Sequence, residues 1–178
     1  LFINGMKVKK MSEFVGNFKA VLFCPEHLAI VRDEPSVRRN FIDSAISQVN
    51  PKYLSALIEY GKIVENKNAL LRTPENYSQS EFENLFSLYS QRMAKGSAYI
   101  TSVRTEYVHR LFEYVKVFLS EMTCGADTVS YDYISTAGDV SDISSLESRY
   151  IDLIFGNAER EKAAKMSLFG AHRDDFDI

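Results

Sequence analysis

The sequence predicts an α+β chain that is mainly helical, built on a long antiparallel helical hairpin, with a few short strands at the N-terminus, near 128–134 and at the C-terminus. Three observations carry that expectation. From Pro35 to Met122, apolar residues recur at three-and-four spacing, the period of helices that bury one face. Asn50-Pro51 and Thr73-Pro74-Glu75-Asn76 punctuate that stretch and divide it into helices joined by short turns. Outside it, the pattern changes to short apolar runs and two-residue alternation, as in strands.

Taken in order, Leu1 to Gly5 ends in Asn4-Gly5, a pair that suits a type I′ hairpin because both central positions need positive φ; Met6-Lys7-Val8 then resumes as a second strand. Lys19-Ala20-Val21-Leu22-Phe23 reads as a short buried strand that Pro25 stops. Pro35 fits the first turn of a helix whose apolar face carries Val37, Phe41, Ile42, Ala45, Ile46 and Val49. Asn50 then caps a second helix that runs to about Thr73. The longest pattern, from Glu81 to Met122, would make a helix about 60 Å long, which must lean on an antiparallel partner. Thr128 to Ile134 alternates like a half-buried strand. Ser144 and Glu147 read as a capping box opening a last helix to about Met166, and the residues from Gly170 onward read as the beginning of a strand.

Composition narrows the function classes. Of 178 residues, 46% are apolar and 12% aromatic, enough for a sizeable core. The net charge is -3, so no whole-molecule field draws the chain onto a polyanion. The charge is uneven, however: residues 1–40 hold seven Lys and Arg against four acids, and the remaining residues hold fourteen against twenty. Any polyanion contact is therefore expected in the N-terminal quarter. Cys24 and Cys124 form no CxxC pair, which fits a reduced, cytoplasmic setting without a metal. No run of about eighteen apolar residues spans a bilayer. Leu1 at the start and the unfinished strand at the end lead to the expectation of a piece from a longer chain.

A search for phosphate chemistry finds no G-x-x-x-x-G-K-[ST] loop, no G-x-G-x-x-G, and no apolar strand ending in paired acids. By itself the chain is expected to hold no nucleotide and to catalyse nothing. Three local patterns remain. In Phe23-Cys24-Pro25-Glu26-His27-Leu28 a strand ends and delivers Glu26 to its C-terminal edge, where α/β sheets present ligands; the plainer reading puts Glu26 in the first turn of a short helix. In Pro35-Ser36-Val37-Arg38-Arg39, two guanidinium groups stand in a first helical turn, where they oppose the macrodipole. Arg38 could hold a phosphate or a carboxylate bidentately, and the plainer reading is an ion pair with Glu34 or Asp43. Third, Gly170-Ala171-His172-Arg173-Asp174-Asp175 gathers a titratable ring, a fork donor and two acids just ahead of an apolar strand. As a metal site it is poor, because consecutive extended residues point to opposite faces, and a polar turn is its plainer reading. His27 and His109 stand alone, and the aromatic residues along the long helix fall on its apolar stripe, as core.

In this order, the three patterns resemble the RecF family of recombination-mediator ATPases. That family carries a strand running into Phe-x-Pro-Glu-Asp-Leu, matched by Phe23 to Leu28, then Gly-x-Pro-x-x-Arg-Arg-x-Phe-Leu-Asp, matched by Asp33 to Asp43. Its Gln-Arg-Asn-x-Leu-Leu-like stretch is matched by Asn66 to Leu71, and its Tyr-Gly-Pro-His-Arg-Asp-Asp by Phe169 to Asp175. The resemblance covers essentially the whole chain. His27, Asp33, Asn40 and Ala171 depart from the usual acid, glycine, third arginine and proline, and Asp33 and Ala171 put two turns in question.

The resemblance implies an ABC-type head similar to that of SMC proteins, with 1–33 as a partial head segment, 34–168 as a helical arm and 169–178 as the strand returning to the head. It places the Walker A loop before Leu1, and the signature motif and Walker B strand beyond Ile178. Pro25 and Glu26 fall near the nucleotide-sensing Q-loop, Arg38 and Arg39 become contacts for phosphate, DNA or an interface, and Gly170, His172, Arg173, Asp174 and Asp175 form the return motif. ATP and Mg would belong to the full-length protein, a slow ATPase. That protein would dimerise with ATP, bind duplex DNA near single-strand gaps, and help RecO and RecR load RecA. Two other readings compete: a stand-alone helical interaction module, and a hydrolase using His172 with Asp174 or Asp175, for which no Ser or Cys nucleophile is evident.

Overall fold

The computed structural model describes residues 2, 3, 5–7, 9, 10, 14–17, 19–22, 30 and 34–178. β1 (Phe2–Ile3) and β2 (Met6–Lys7) pair antiparallel, with Ile3 opposite Met6. Gly5 takes φ +82° in the two-residue connection, a value that glycine adopts without strain. Asn4 lies outside the described residues. The buried strand expected at Lys19 to Phe23 is not formed over Lys19–Leu22: Val21 is fully exposed and Leu22 is 74% exposed. A buried strand needs a ladder neighbour, and the described residues place none beside it. Phe23 lies outside them.

α1 (Pro35–Ser47) begins with proline at its first position, and α2 (Pro51–Arg72) follows after a turn. The side chain of Asn50 accepts the N–H of Tyr53 and so caps α2. A single 3₁₀ turn, Pro74–Asn76, leads into α3 (Gln79–Met122), whose 44 residues span about 65 Å. α3 opens on a capping box, with Ser78 Oγ accepting the Glu81 N–H and the Glu81 carboxylate accepting the Ser78 N–H.

α2 and α3 form the antiparallel hairpin, α1 crosses its open end, and α4 (Leu146–Gly156) packs along α3. The core between them holds Tyr53, Tyr60, Ile63, Met93, Ile100, Val108, Tyr150 and Ile154, each nearly or wholly excluded from solvent. A smaller cluster of Leu70, Leu71, Phe82 and Phe86 closes the hairpin's far end. Next to it, Lys67 and Glu161 form an ion pair at 2.6 Å with both side chains fully buried. The Lys67 ammonium stands 4.7 Å from the Phe86 ring centre, and the second Glu161 oxygen accepts the Leu168 N–H.

The expected last helix is broken in two. α5 (Ala158–Ala164) follows α4 after Asn157, whose side-chain amide turns back to donate to the Leu153 carbonyl. The expected capping box at Ser144 and Glu147 is absent: a 3₁₀ turn over Ile143–Ser145 comes first, and Asp142 caps it through the Ser144 N–H. The half-buried strand is shorter than its alternation implied. β3 (Asp132–Ile134) forms a ladder only where β4 (Asp175–Asp177) reaches it, with Tyr133 opposite Phe176. β4 also lies against α1, so the start of the helical excursion and its return are side by side.

Candidate functional site

Gly170 takes φ +131°, which favours glycine, and a Cβ there would stand 2.5 Å from the Tyr60 hydroxyl. A 3₁₀ turn over Ala171–Arg173 follows, and then β4. Ala171, where the family pattern has proline, uses an N–H that proline lacks, donating to Ser97 Oγ at 3.1 Å. The departure therefore adds a hydrogen bond and leaves the turn intact.

From this turn, consecutive residues go opposite ways. Asp174 is fully buried, Asp175 faces α1, and Phe176 is buried again. Arg38 grips Asp175 with a two-pronged pair, Nε to Oδ1 and Nη2 to Oδ2, both at 2.7 Å. That bonding raises the Arg38 pKa, and although burial works against it, the Asp175 carboxyl is held below its usual range by Arg38. Arg39 donates to the Asp174 carbonyl at 2.7 Å, while burial and the neighbouring Arg104 lower its pKa. Neither arginine pairs with Glu34 or Asp43, the partners of the plainer reading; a helix start can reach a strand 137 residues on because the excursion returns beside it. Arg173 donates to the Ser167 carbonyl at 3.1 Å. Pro25 and Glu26 lie outside the described residues.

Arg104, on α3, is the centre of the joint. It is 3% exposed, donates through Nε and Nη2 to the Asp43 carboxylate at 2.8 Å each, and through Nη1 to the Ala171 carbonyl at 2.6 Å. Burial alone would favour losing its proton, but the Asp43 contacts outweigh that and keep it charged. The Asp174 carboxylate accepts from Thr101 Oγ1 at 2.6 Å, Tyr133 OH at 3.0 Å, the Thr136 N–H at 3.2 Å and Tyr150 OH at 3.3 Å. Burial pushes the Asp174 carboxyl up, and these donors oppose the shift. Burial likewise pushes Tyr150 up to about 12.

His172 completes the arrangement. Tyr60 OH lies 2.9 Å from Nδ1, and the Ser167 carbonyl lies 3.3 Å from Nε2, so the ring fits as a neutral imidazole carrying its proton on Nε2. Both ring nitrogens of His172 are thus engaged, and Asp174 is surrounded by donors. Among the described residues, no group of three His, Cys, Asp or Glu side chains could hold a metal ion.

Burial lowers the His172 pKa to about 4. In an unfolded chain the ring protonates near pH 6.5. As the pH falls, the unfolded state therefore takes up the proton first, and stability present above about pH 6.5 drains away down to about pH 4. The loss is on the order of 3 kcal/mol. Thermal melts across that window should be steeper in pH for the wild type than for His172→Gln; equal slopes would clear His172 of the effect.

Sequence reasoning singled out Arg38, Arg39 and the return motif, but missed Arg104, Tyr60, Thr101, Tyr133 and Tyr150 as partners of that motif, and it offered Asp43 to Arg38 where the structure pairs it with Arg104. One signal was present: Arg104 stands between Ile100 and Val108 at intervals of four, a charge on an apolar stripe.

No family model matches the chain. Proteins named "DNA replication and repair protein RecF" do resemble it: that of Clostridium perfringens (strain SM101) is 32% identical over 176 residues, covering 99% of this chain and 46% of the relative. That of Clostridium beijerinckii is 31% identical over the same share, and that of Shouchella clausii is 33% identical over 97% of this chain and 47% of the relative. Two solved structures, described as the recombination mediator protein RecF of the RecFOR pathway with ATP and with ATPrS, superpose with a TM-score of 0.89 at 27% identity. Each covers 97% of this chain and 46% of the solved one. The chain thus spans about half the length of the relatives it matches. In sequence and in fold the chain is similar to these RecF proteins over about half of their length.

Proposed function

We propose that this chain serves as the arm, and the joint at the arm's base, of a DNA-binding ATPase of recombinational repair. In this reading residues 1–33 belong to the head, 34–168 are the arm, and 169–178 return to the head. The whole protein dimerises with ATP and Mg, binds duplex DNA near single-strand gaps, and works with RecO and RecR to load RecA. Pro25 and Glu26 sense the nucleotide, and the arm follows the head through the joint. The observation that carries the reading is the double clamp of Arg38 on Asp175 and Arg39 on the Asp174 carbonyl, which ties the outgoing helix to the returning strand. The likeness to RecF structures described with ATP supports it.

The test is Arg38→Ala with Arg39→Ala in a RecF-length protein. Gapped-duplex affinity by fluorescence anisotropy, or ATP-dependent dimerisation by light scattering, should fall about tenfold, the worth of one charge-assisted bidentate contact. A melt of the same variant separates this from general unfolding. If both readouts match the wild type, the clamp has no part in DNA binding or assembly.

A further inference from the structure

Between β3 and α4 the chain runs from Ser135 to Asp142 without helix or strand, and its path is held from α4. Arg149, in the first turn of that helix, donates through Nη1 to the Ala137 carbonyl at 3.3 Å and to the Asp139 carbonyl, and through Nη2 to the Asp142 carbonyl at 3.0 Å. Gly138 takes φ +80° and donates its N–H to the Ser135 carbonyl at 3.0 Å, closing a tight turn beside the guanidinium.

Carboxylates are the stronger acceptors for a guanidinium, and Asp139 and Asp142 supply two in this loop. Both turn elsewhere. Asp139 accepts the N–H and hydroxyl of Ser141, and Asp142 those of Ser144, so Arg149 is left with their backbone. The fork therefore fixes a chain path rather than balancing charge.

That path delivers Thr136 between the two ends of the return motif. The Thr136 N–H donates to the Asp174 carboxylate at 3.2 Å, and its Oγ1 accepts the Gly170 N–H at 3.0 Å. Tyr150, next to Arg149 on α4, grips the other flank: its hydroxyl lies 2.9 Å from Ser135 Oγ, which accepts the Ala137 N–H at 3.1 Å. Glycine populates both signs of φ, so Gly170 does not hold +131° by its own preference. Thr136 fixes it at the N–H, and Ser97 takes the following N–H at 3.1 Å.

We infer that Arg149 is a positioning residue for the return turn, acting through Thr136: by fastening three carbonyls of the 137–142 loop it latches the turn that hands the chain to β4. The inference deepens the reading of this turn as the joint of the arm, and rests on that reading for any effect on DNA binding.

Hydrogen exchange followed by mass spectrometry at single-amide resolution, on a RecF-length protein, tests it. Arg149→Ala should speed exchange of the Gly170 and Thr136 amides about tenfold, the factor that losing one hydrogen bond gives a local opening, while the amides of α2 and α3 keep wild-type protection. Thr136→Val should speed Gly170 exchange to the same degree, and adding Arg149→Ala to it should change nothing further. Thr136→Ser keeps the hydroxyl and should keep the wild-type rate. Unchanged Gly170 exchange in Arg149→Ala overturns the inference. So does faster exchange spread through α2 and α3, which marks general unfolding, and so do effects of Arg149→Ala and Thr136→Val that multiply. A turn loosened by Arg149→Ala with gapped-duplex affinity unchanged upholds the latch and refutes the joint reading instead.

Discussion

Arg104→Ala is expected to destabilise the chain by about 3–5 kcal/mol and to lower its melting temperature by roughly 10 °C or more. The truncation does more than delete one ion pair. It strands the Asp43 carboxylate, which otherwise meets two guanidinium nitrogens at 2.8 Å and the Tyr53 hydroxyl, and it strips the Ala171 carbonyl of its donor. Groups buried this deeply cannot recover the lost bonds from water, so the full desolvation penalty is felt. Arg104→Lys should fall in between, because an ammonium keeps the charge but cannot serve Asp43 and Ala171 in one planar fork. Tyr53→Phe should cost only about 1 kcal/mol. Urea and thermal denaturation measure all three; an Arg104→Ala variant within 1 kcal/mol of the wild type would show that the joint tolerates losing its centre.

Lys67→Met should be comparably damaging, at about 3–5 kcal/mol, and the damage should be largely reversible by a second change. With both side chains fully buried, removing the ammonium leaves the Glu161 carboxylate without its counter-charge. Burial lowers the Lys67 pKa and Glu161 opposes that shift, so the ammonium depends on its partner. In Lys67→Met with Glu161→Gln, the uncompensated charge is gone and the Gln oxygen can still accept the Leu168 N–H, so stability should return to within about 1 kcal/mol of the wild type. A double-mutant cycle reads the coupling directly. Additive losses would mean that the two groups act separately.

Much of the helical frame was legible in the sequence because its signals are local. Pro35, Asn50-Pro51 and Pro74 mark helix starts through fixed φ and side-chain capping, and the structure begins α1 and α2 at those residues. The errors came where the outcome depends on distant partners. Thr128 to Ile134 alternates throughout, yet only Asp132–Ile134 becomes a ladder, because β4 is three residues long. The last helix reads as one apolar period, but Asn157 interrupts it by bonding back to Leu153. At the joint, the arginines and acids could be named individually, whereas pairing Arg38 with a residue 137 positions away requires knowing that the excursion closes. Lys67 and Arg104 could have been flagged from spacing alone. Lys67 lies between Ile63 and Leu71 as Arg104 lies between Ile100 and Val108, and a charge set at that interval among buried residues needs a buried counterpart.

The unbroken length of α3 has a mechanical consequence. Arg104 anchors it at the joint, and Phe82 lies 22 residues away in the cluster at the far end of the hairpin, about 33 Å along a rod stiffened by α2. A tilt of ten degrees at the anchor would sweep that end through about 6 Å, the pitch of one helical turn. Small angular adjustments at one end of this lever are thus amplified into displacements as large as a side chain at the other.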